Sequence, residues 1–173
     1  MKLKGQLVTL RALEPEDIDL LYSWENDPEH WAVSNTQTPF SRFVLEQYIS
    51  TAHVDIYSAK QLRLMICDKE GGKAVGSIDL FDFEPNHLRA GVGILIADKT
   101  DRRKGYASEA LELLKNYCFE ILNLQQIYCN ITTDNESSIL LFQKHGFQIT
   151  GIKKQWIRSG SGYKDELLLQ LIR

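Results

Sequence analysis

The chain has 173 residues, 43% of them hydrophobic and 25% charged, a composition that predicts one globular domain over residues 1–173 with a sizeable core. Its net charge is −3 and its pI about 5.8, and the basic residues form neither a tail nor a stripe, so we expect no nucleic-acid partner. No apolar run approaches the roughly 20 residues of a membrane span, and residues 1–5 lack the apolar core of a signal peptide. We therefore expect a cytoplasmic protein with no membrane partner.

The first half of the sequence contains the hydrophobic periodicities of two helices and four strands. Residues 14–17 place acids in a first helical turn, and Leu21 and Tyr22 lie on one face of the helix that follows. Residues 29–40 are predicted to be irregular, and Ser41 is predicted to cap a second short helix. Strands are predicted at residues 6–11, 62–67, 74–81 and 88–97, with a hairpin turn at 70–73.

The second half predicts two more helices and three more strands. A long helix from about Arg103 to Leu122 has small and apolar residues at helical spacing, a stripe that we expect to be buried. This stripe consists of Ala107, Ala110, Leu111, Leu114, Cys118 and Ile121. A short helix follows Asp134 and ends before Gly146, which suits the left-handed position after a helix. Strands are predicted at residues 126–132, 148–157 and 164–172, the last two forming a hairpin around a turn at 158–162.

The three cysteines, Cys67, Cys118 and Cys129, each lie inside an apolar segment. Neither a paired C-x-x-C spacing nor a neighbouring histidine cluster accompanies them. We therefore predict reduced core thiols, and the sequence indicates no metal site.

A basic, glycine-containing turn joins the strand at 88–97 to the long helix. Arg102, Arg103 and Lys104 place three consecutive cations there, and Gly105 permits a close approach of the backbone to a ligand. A helix N-terminus offers unpaired N–H donors and the positive end of the helix dipole. The turn therefore predicts a pyrophosphate site.

The pattern Arg102-x-x-Gly105-x-Ala107, between an apolar strand and an amphipathic helix, resembles the acyl-CoA loop of the GNAT superfamily of N-acetyltransferases. The order of predicted elements is similar to that of the superfamily over essentially the whole chain. Further local similarities occur at residues 10–17, at 75–78, at Asn135-x-x-Ser138 and at Gly146-Phe147. Within the superfamily, residues 123–128 and 151–157 resemble the branch of spermidine/spermine and ribosomal-protein N-terminal acetyltransferases.

The resemblance implies an α+β fold, with a mixed, largely antiparallel sheet of about seven strands flanked by about four helices. It implies acetyl-CoA as cosubstrate and direct attack of a primary amine on the thioester within a ternary complex. The backbone of a bulged strand would face the pantetheine and thioester, the basic turn would bind the pyrophosphate, and an asparagine would bind the pantetheine. The residues assigned in this way to the cofactor are Ile94, Leu95, Ile96, Arg102, Arg103, Lys104, Gly105, Tyr106, Ala107, Ser108 and Asn135.

Two departures from the resemblance concern the acid and the base. Relatives in this branch often have a glutamate where this chain has Gly91, and many members have a proton-donating tyrosine where it has Phe142. Ser138 is the candidate for the thiolate side, with helix capping as the alternative. Asp79, Asp82, Glu84 and His87 lie on or just after the neighbouring strand. From these four we take Glu84 and His87 as candidate bases, so the candidate catalytic residues are Ser138, Glu84 and His87. Glu84 and His87 could instead be ordinary solvated turn residues.

The acceptor side is predicted in the segment between the first helix and residue 48. Trp24, Trp31, Phe40 and Tyr48 could line a pocket for an amine through cation–π contacts, or could simply pack in the core. Acidic residues in the same region could attract ammonium groups, or could be solvated; they are Glu25, Asp27 and Glu29. A polyamine and a peptide N-terminus stay open as acceptors, and so does a non-catalytic acyl-CoA-binding module. A homodimer through the sheet edge or the terminal hairpin also stays open.

Overall fold

The computed structural model describes residues 3–34 and 36–173, within which seven strands form one sheet and six α-helices flank it. The strands are β1 Val8–Ala12, β2 Leu62–Asp68, β3 Ala74–Glu84, β4 Arg89–Ile96, β5 Gln126–Thr132, β6 Gln148–Ser159 and β7 Gly162–Ile172. The helices are α1 Ile18–Glu25, α2 Pro28–Ser34, α3 Arg42–Ser50, α4 Ile56–Ala59, α5 Tyr106–Glu120 and α6 Glu136–Lys144.

The strand order is β1-β2-β3-β4-β5-β7-β6, and every neighbouring pair is antiparallel except β4 and β5. The predicted fold class is therefore confirmed, including the mixed and largely antiparallel sheet of seven strands. The four predicted helices are present as α1, α3, α5 and α6, and two short helices, α2 and α4, accompany them.

The prediction of irregular chain at residues 29–40 was wrong for the first part of that segment, which belongs to α2. The Asp27 carboxylate accepts a hydrogen bond from the Glu29 N–H (2.9 Å), and Pro28 takes the first helical position. Proline is well suited to that position, because its ring presets the backbone angle and its missing N–H needs no partner there. His30 of this helix is buried, with its ring nitrogens close to the carbonyl oxygens of Trp24 and Ala97.

Three further predictions need correction. Helix α5 begins at Tyr106 and not near Arg103, because Arg103 (φ +62°) and Gly105 (φ +87°) adopt left-handed conformations that a helix excludes. The buried stripe of α5 includes Ala110, Leu111, Leu114 and Cys118, whereas Ile121 lies beyond the helix and is 51% exposed. Likewise α1 buries Leu21 but leaves Tyr22 42% exposed.

The core lies between the sheet and α5. Apolar residues of the central strands, such as Ile78 and Ile127, pack there with the buried stripe of α5. The three cysteines are free and buried, as predicted. Burial raises the pKa of Cys118 and of Cys129 to about 12, so both thiols stay protonated at neutral pH.

The carboxylate of Glu109 ties the N-terminal segment to the beginning of α5. It accepts hydrogen bonds from three consecutive backbone N–H groups, those of Gln6 (2.8 Å), Leu7 (2.7 Å) and Val8 (2.7 Å). Partial burial raises the pKa of Glu109, but these three donors outweigh that effect and hold the pKa below its ordinary value. This anchor fixes the start of α5, and with it the basic turn, relative to β1.

Candidate active site

A cleft opens where β4 and β5 separate. The two strands pair only at Arg89–Gly91 with Gln126–Tyr128, and the cleft of about 720 Å³ lies beyond this pairing. Its two walls are Val92–Ile94 of β4 and Cys129–Thr132 of β5. Unpaired backbone groups on separated strands can bind an extended polar ligand, so this geometry suits a pantetheine arm.

The basic turn is held in place by Asp101. Its carboxylate accepts hydrogen bonds from Lys73 (2.8 Å) and Lys104 (2.9 Å), and these two partners lower the pKa of Asp101. The left-handed Arg103 and Gly105 then bring the chain into α5. Within α5 the first backbone bond runs from the Glu109 N–H to the Gly105 carbonyl (3.0 Å).

This arrangement leaves the N–H groups of Tyr106, Ala107 and Ser108 in the first helical turn, where a helix supplies no acceptor for them. Three such donors at the positive end of a 15-residue helix form a cradle for a phosphate group. The side chain of Arg103 is exposed, whereas Lys104 already pairs with Asp101. The residues of the turn therefore fit the diphosphate of a CoA-type cofactor.

Helix α6 contributes Ser138 and Phe142 to the cleft, and Asn135, directly before the helix, lines it as well. The Asn135 side chain caps the helix by accepting a hydrogen bond from the Ser138 N–H (3.3 Å), so the alternative interpretation of Ser138 as the cap was wrong. Phe142 is 3% exposed and packs edge-to-face on Phe147, with ring centroids 4.9 Å apart.

Among the described residues that line the cleft, Asp79 is the one candidate base that is present. Glu84 and His87 lie at the β3–β4 turn, where the His87 N–H donates to the Glu84 carbonyl (3.2 Å), and neither is among the described residues that line the cleft. Asp82 lies 3.5 Å from the Tyr128 hydroxyl, also outside the cleft lining. Asp79 does line the cleft.

Asp79 belongs to an ionic cluster on the acceptor side. Arg63 donates to both its oxygens, from Nε (2.7 Å) and Nη2 (3.2 Å), and pairs through Nη1 with Glu25. The Arg63 guanidinium also lies over the ring of Tyr48, 5.6 Å from its centroid. Burial raises the pKa of Asp79 although Arg63 opposes the change.

Sequence reasoning named Asp79 but missed Arg63, which faces it across the β2–β3 pairing. The sequence did contain a signal for this pair, because residues of opposite charge on adjacent antiparallel strands often pair across the sheet. Lys164 and Glu166 of β7, which also line the cleft, were missed as well, and these pair with Asp134 and Lys153 respectively.

The predicted acceptor-side residues have different positions. Tyr48 lines the cleft, but Trp24 packs against the buried cluster around Met65, and Trp31 donates its indole N–H to the Glu25 carbonyl (2.7 Å). The Phe40 N–H donates to the Asn26 side chain (2.8 Å). Of the acidic residues, Glu25 pairs with Arg63, Glu29 with Lys99, and Asp27 lies 3.9 Å from His30. In the part of the chain that the structure describes, no helix is long and apolar enough to cross a membrane.

Comparison with known proteins identifies the family. A model described as "Acetyltransferase (GNAT) domain" matches residues 8–148. Spermidine N(1)-acetyltransferase from Escherichia coli strain K12 is 29% identical over 147 residues, covering 83% of this chain and 74% of that protein. An uncharacterized N-acetyltransferase, p20 from Bacillus licheniformis, is 28% identical over 167 residues, covering 96% and 93%.

Among solved structures, spermidine N-acetyltransferase from Vibrio cholerae in complex with CoA and spermine superposes with a TM-score of 0.87. The two sequences are 23% identical, and the match covers 97% of this chain and 96% of that one, so the likeness shows the fold. The family match extends over most of the chain and includes β4, the basic turn, α5 and β5. The chain therefore belongs to the GNAT family of acetyltransferases.

Proposed function

We propose that this protein transfers an acetyl group from acetyl-CoA to a primary amine of a spermidine-like polyamine, by direct attack within a ternary complex. The observation that carries the proposal is the position of the cleft. On one side it opens between β4, which leads into the basic turn, and β5. On the other side it meets the ionic cluster of Arg63, Asp79 and Glu25.

The cofactor side needs little chemistry from the protein beyond binding and orientation. When bound, acetyl-CoA supplies the activated acetyl thioester. The N–H groups of Tyr106, Ala107 and Ser108 and the Arg103 side chain would bind its pyrophosphate. The backbone of Ile94 and the side chain of Asn135, which both line the cleft, would orient the pantetheine arm and polarise the thioester carbonyl. Leu95 and Ile96, the next residues of β4, are not among the described residues that line the cleft.

The charges of the acceptor side favour a cation. Arg63 is engaged by two carboxyl groups, so the cluster has one more acidic than basic side chain and its guanidinium is not available to a substrate carboxylate. Lys164 and Glu166 are balanced by Asp134 and Lys153. An ammonium group entering the cleft would therefore be attracted to Asp79 and could contact the Tyr48 ring.

Asp79 is then our candidate to receive the ammonium proton, directly or through water, and Ser138 our candidate to donate a proton to the leaving thiolate. Glu84 and His87 take no direct part in this proposal, because neither lines the cleft. Phe142 has no hydroxyl and contributes an apolar wall.

A peptide N-terminus is the second candidate acceptor, and Ser138 is the observation that favours it. A serine at this position resembles the pattern of N-terminal acetyltransferases, and this residue lines the cleft without serving as the helix cap. An acceptor screen distinguishes the two candidates: the protein is incubated with acetyl-CoA and either spermidine or a short peptide with a free N-terminus, and products are identified by mass spectrometry. Acetylspermidine as the dominant product supports the proposal, whereas acetylated peptide with unmodified spermidine replaces it with the second candidate.

A further inference from the structure

A chain of four polar side chains joins the beginning of α5 to the end of α6, outside the cleft lining. The Ser108 hydroxyl lies 2.9 Å from Nε2 of His145, and Nδ1 of the same ring lies 3.0 Å from a Glu112 carboxylate oxygen. Lys115 pairs with that oxygen at 2.6 Å. Ser108 also belongs to the first turn of α5, where its N–H is one of the three cradle donors.

The state of Glu112 determines which protons the imidazole carries. Partial burial raises the pKa of Glu112, but the hydrogen bonds from Lys115 and His145 outweigh this and lower it, so the group is a carboxylate at neutral pH. A carboxylate only accepts, and Nδ1 of His145 must therefore carry a hydrogen and donate it to Glu112. Whether Nε2 also carries a hydrogen then sets the charge of the ring.

That proton decides what Ser108 can do. With Nε2 unprotonated, the Ser108 hydroxyl donates its single hydrogen to the ring and offers only lone pairs to an approaching anion. With Nε2 protonated, the ring donates to the Ser108 oxygen, and the hydroxyl hydrogen becomes free to point at a phosphate. The protonated ring also brings a positive charge next to the cradle, at the C-terminal end of α6 where a cation is favoured.

We propose that His145 is a positioning residue for the cofactor phosphate: it takes up a proton when the phosphate binds, and thereby turns the Ser108 hydroxyl into a donor. The inference rests on the proposed function, since it requires that a CoA phosphate binds the cradle. His145 suits this role because its side chain is 9% exposed and fixed on both ring nitrogens. The charged groups beside it are Glu112 and Lys115 on α5 and its own neighbour Lys144 on α6.

CoA binding should depend on pH in a defined direction. Because the anion binds the protonated form better, lowering the pH strengthens CoA binding, and binding takes up protons from solution. The phosphates of CoA titrate too, but this contribution is common to all variants and cancels when they are compared.

The test is calorimetric titration of CoA into the full-length protein at pH 6.5, in two buffers of different ionisation enthalpy, which gives the number of protons taken up. His145→Gln removes the imidazole that is proposed to take up the proton. Ser108→Ala and Glu112→Gln each remove one of its hydrogen-bond partners and replace the first variant if it fails to fold. His53→Gln is the matched control, because that imidazole is exposed and hydrogen bonds only to the Ser50 carbonyl among the described residues.

We expect the wild type and His53→Gln to take up measurably more protons per CoA than His145→Gln. We also expect CoA affinity of the wild type to fall about threefold to tenfold more than that of His145→Gln between pH 6 and pH 8. If the wild type and His145→Gln both bind CoA tightly and take up the same number of protons, this inference is overturned and the proposed function is left intact. Failure of the wild type to bind CoA overturns both.

Discussion

The ring of Phe81 occupies the space beside Gly91. The two residues are paired across β3 and β4, and a Cβ on residue 91 would lie 2.3 Å from Cε2 of that ring. The Phe81 ring also contacts Tyr128 edge-to-face, with centroids 6.0 Å apart. This chain therefore has an aromatic ring beside Gly91, and the β3 carboxylate that lines the cleft is that of Asp79, which is paired with Gly93.

We predict that Gly91→Glu does not simply restore a base but destabilises the fold. The side chain would displace Phe81 from a packed position, and such overpacking costs about 1 to 3 kcal/mol. Thermal unfolding should show a lower Tm, with part of the loss recovered when Phe81→Ala is added. Gly93→Ala is the control, because a Cβ there meets its nearest atom on Phe81 at 3.9 Å; an equal loss in both single variants would contradict this account.

Asp79→Asn should lower kcat/KM for the amine at least about tenfold while CoA affinity stays within twofold, because it removes the carboxylate that is proposed to receive the ammonium proton. Steady-state kinetics and a CoA titration check this together. Asp19→Asn is the matched control, since Asp19 also pairs with an arginine, Arg42 at 2.7 Å, but on the exposed surface of α1. Equal kinetics for wild type and Asp79→Asn would remove Asp79 from the mechanism.

Ser138→Ala should lower turnover while leaving both the fold and CoA binding intact, because Asn135 and not Ser138 caps α6. Ser161→Ala is a suitable control: it removes an exposed hydroxyl from the β6–β7 turn, which does not line the cleft among the described residues. Turnover of both variants is measured at saturating acetyl-CoA and amine. If Ser138→Ala is as active as Ser161→Ala, the thiolate-side role is wrong.

Arg103→Ala should weaken acetyl-CoA binding about fivefold or more, because it removes a charge-assisted contact to the phosphates. Lys104→Ala should have a smaller effect, since Lys104 is already paired with Asp101. The control is Arg158→Ala, which removes an exposed arginine at the far end of β6. The affinities are measured by calorimetry. If Lys104→Ala binds acetyl-CoA more weakly than Arg103→Ala does, the assignment of the two cations is refuted.

Glu109→Gln should destabilise the protein by about 1 to 2 kcal/mol at pH 7, because three backbone N–H donors lose a charged acceptor. The pKa of Glu109 is lowered in the folded state, so its stabilisation is present above the unfolded pKa near 4.5 and is lost as the pH falls through the folded value. The difference in Tm from wild type should therefore be large at pH 7 and shrink towards pH 3. Glu46→Gln, on the exposed face of α3, should show no such difference at either pH.

Much of the fold follows from local patterns. The stripe of α5 and the alternation of β2 and β3 are periodic over enough residues to identify each element, and the basic turn marks the cofactor side. Helix α2 was missed because its signals, the Asp27 cap and Pro28 at the first position, stand in a short polar stretch without a clear apolar stripe.

The contacts within the site could not be predicted in the same way, because they depend on strand register and helix packing. Arg63 and Asp79 meet only when β2 and β3 pair in one register, and Phe81 reaches Gly91 only through the β3–β4 pairing. Ser108 and His145 are 37 residues apart and meet through the approach of α5 to α6. Propensity and periodicity describe single elements and carry no information on these distances.

Release of free CoA thiol from acetyl-CoA in the presence of spermidine tests the central claim most directly, with an amine-free reaction as the blank. We expect release that requires spermidine and saturates with its concentration. A folded protein that binds acetyl-CoA but releases no thiol above the blank, with spermidine or with a peptide N-terminus, would contradict the account. The cleft would then belong to an acyl-CoA-binding module without transferase activity.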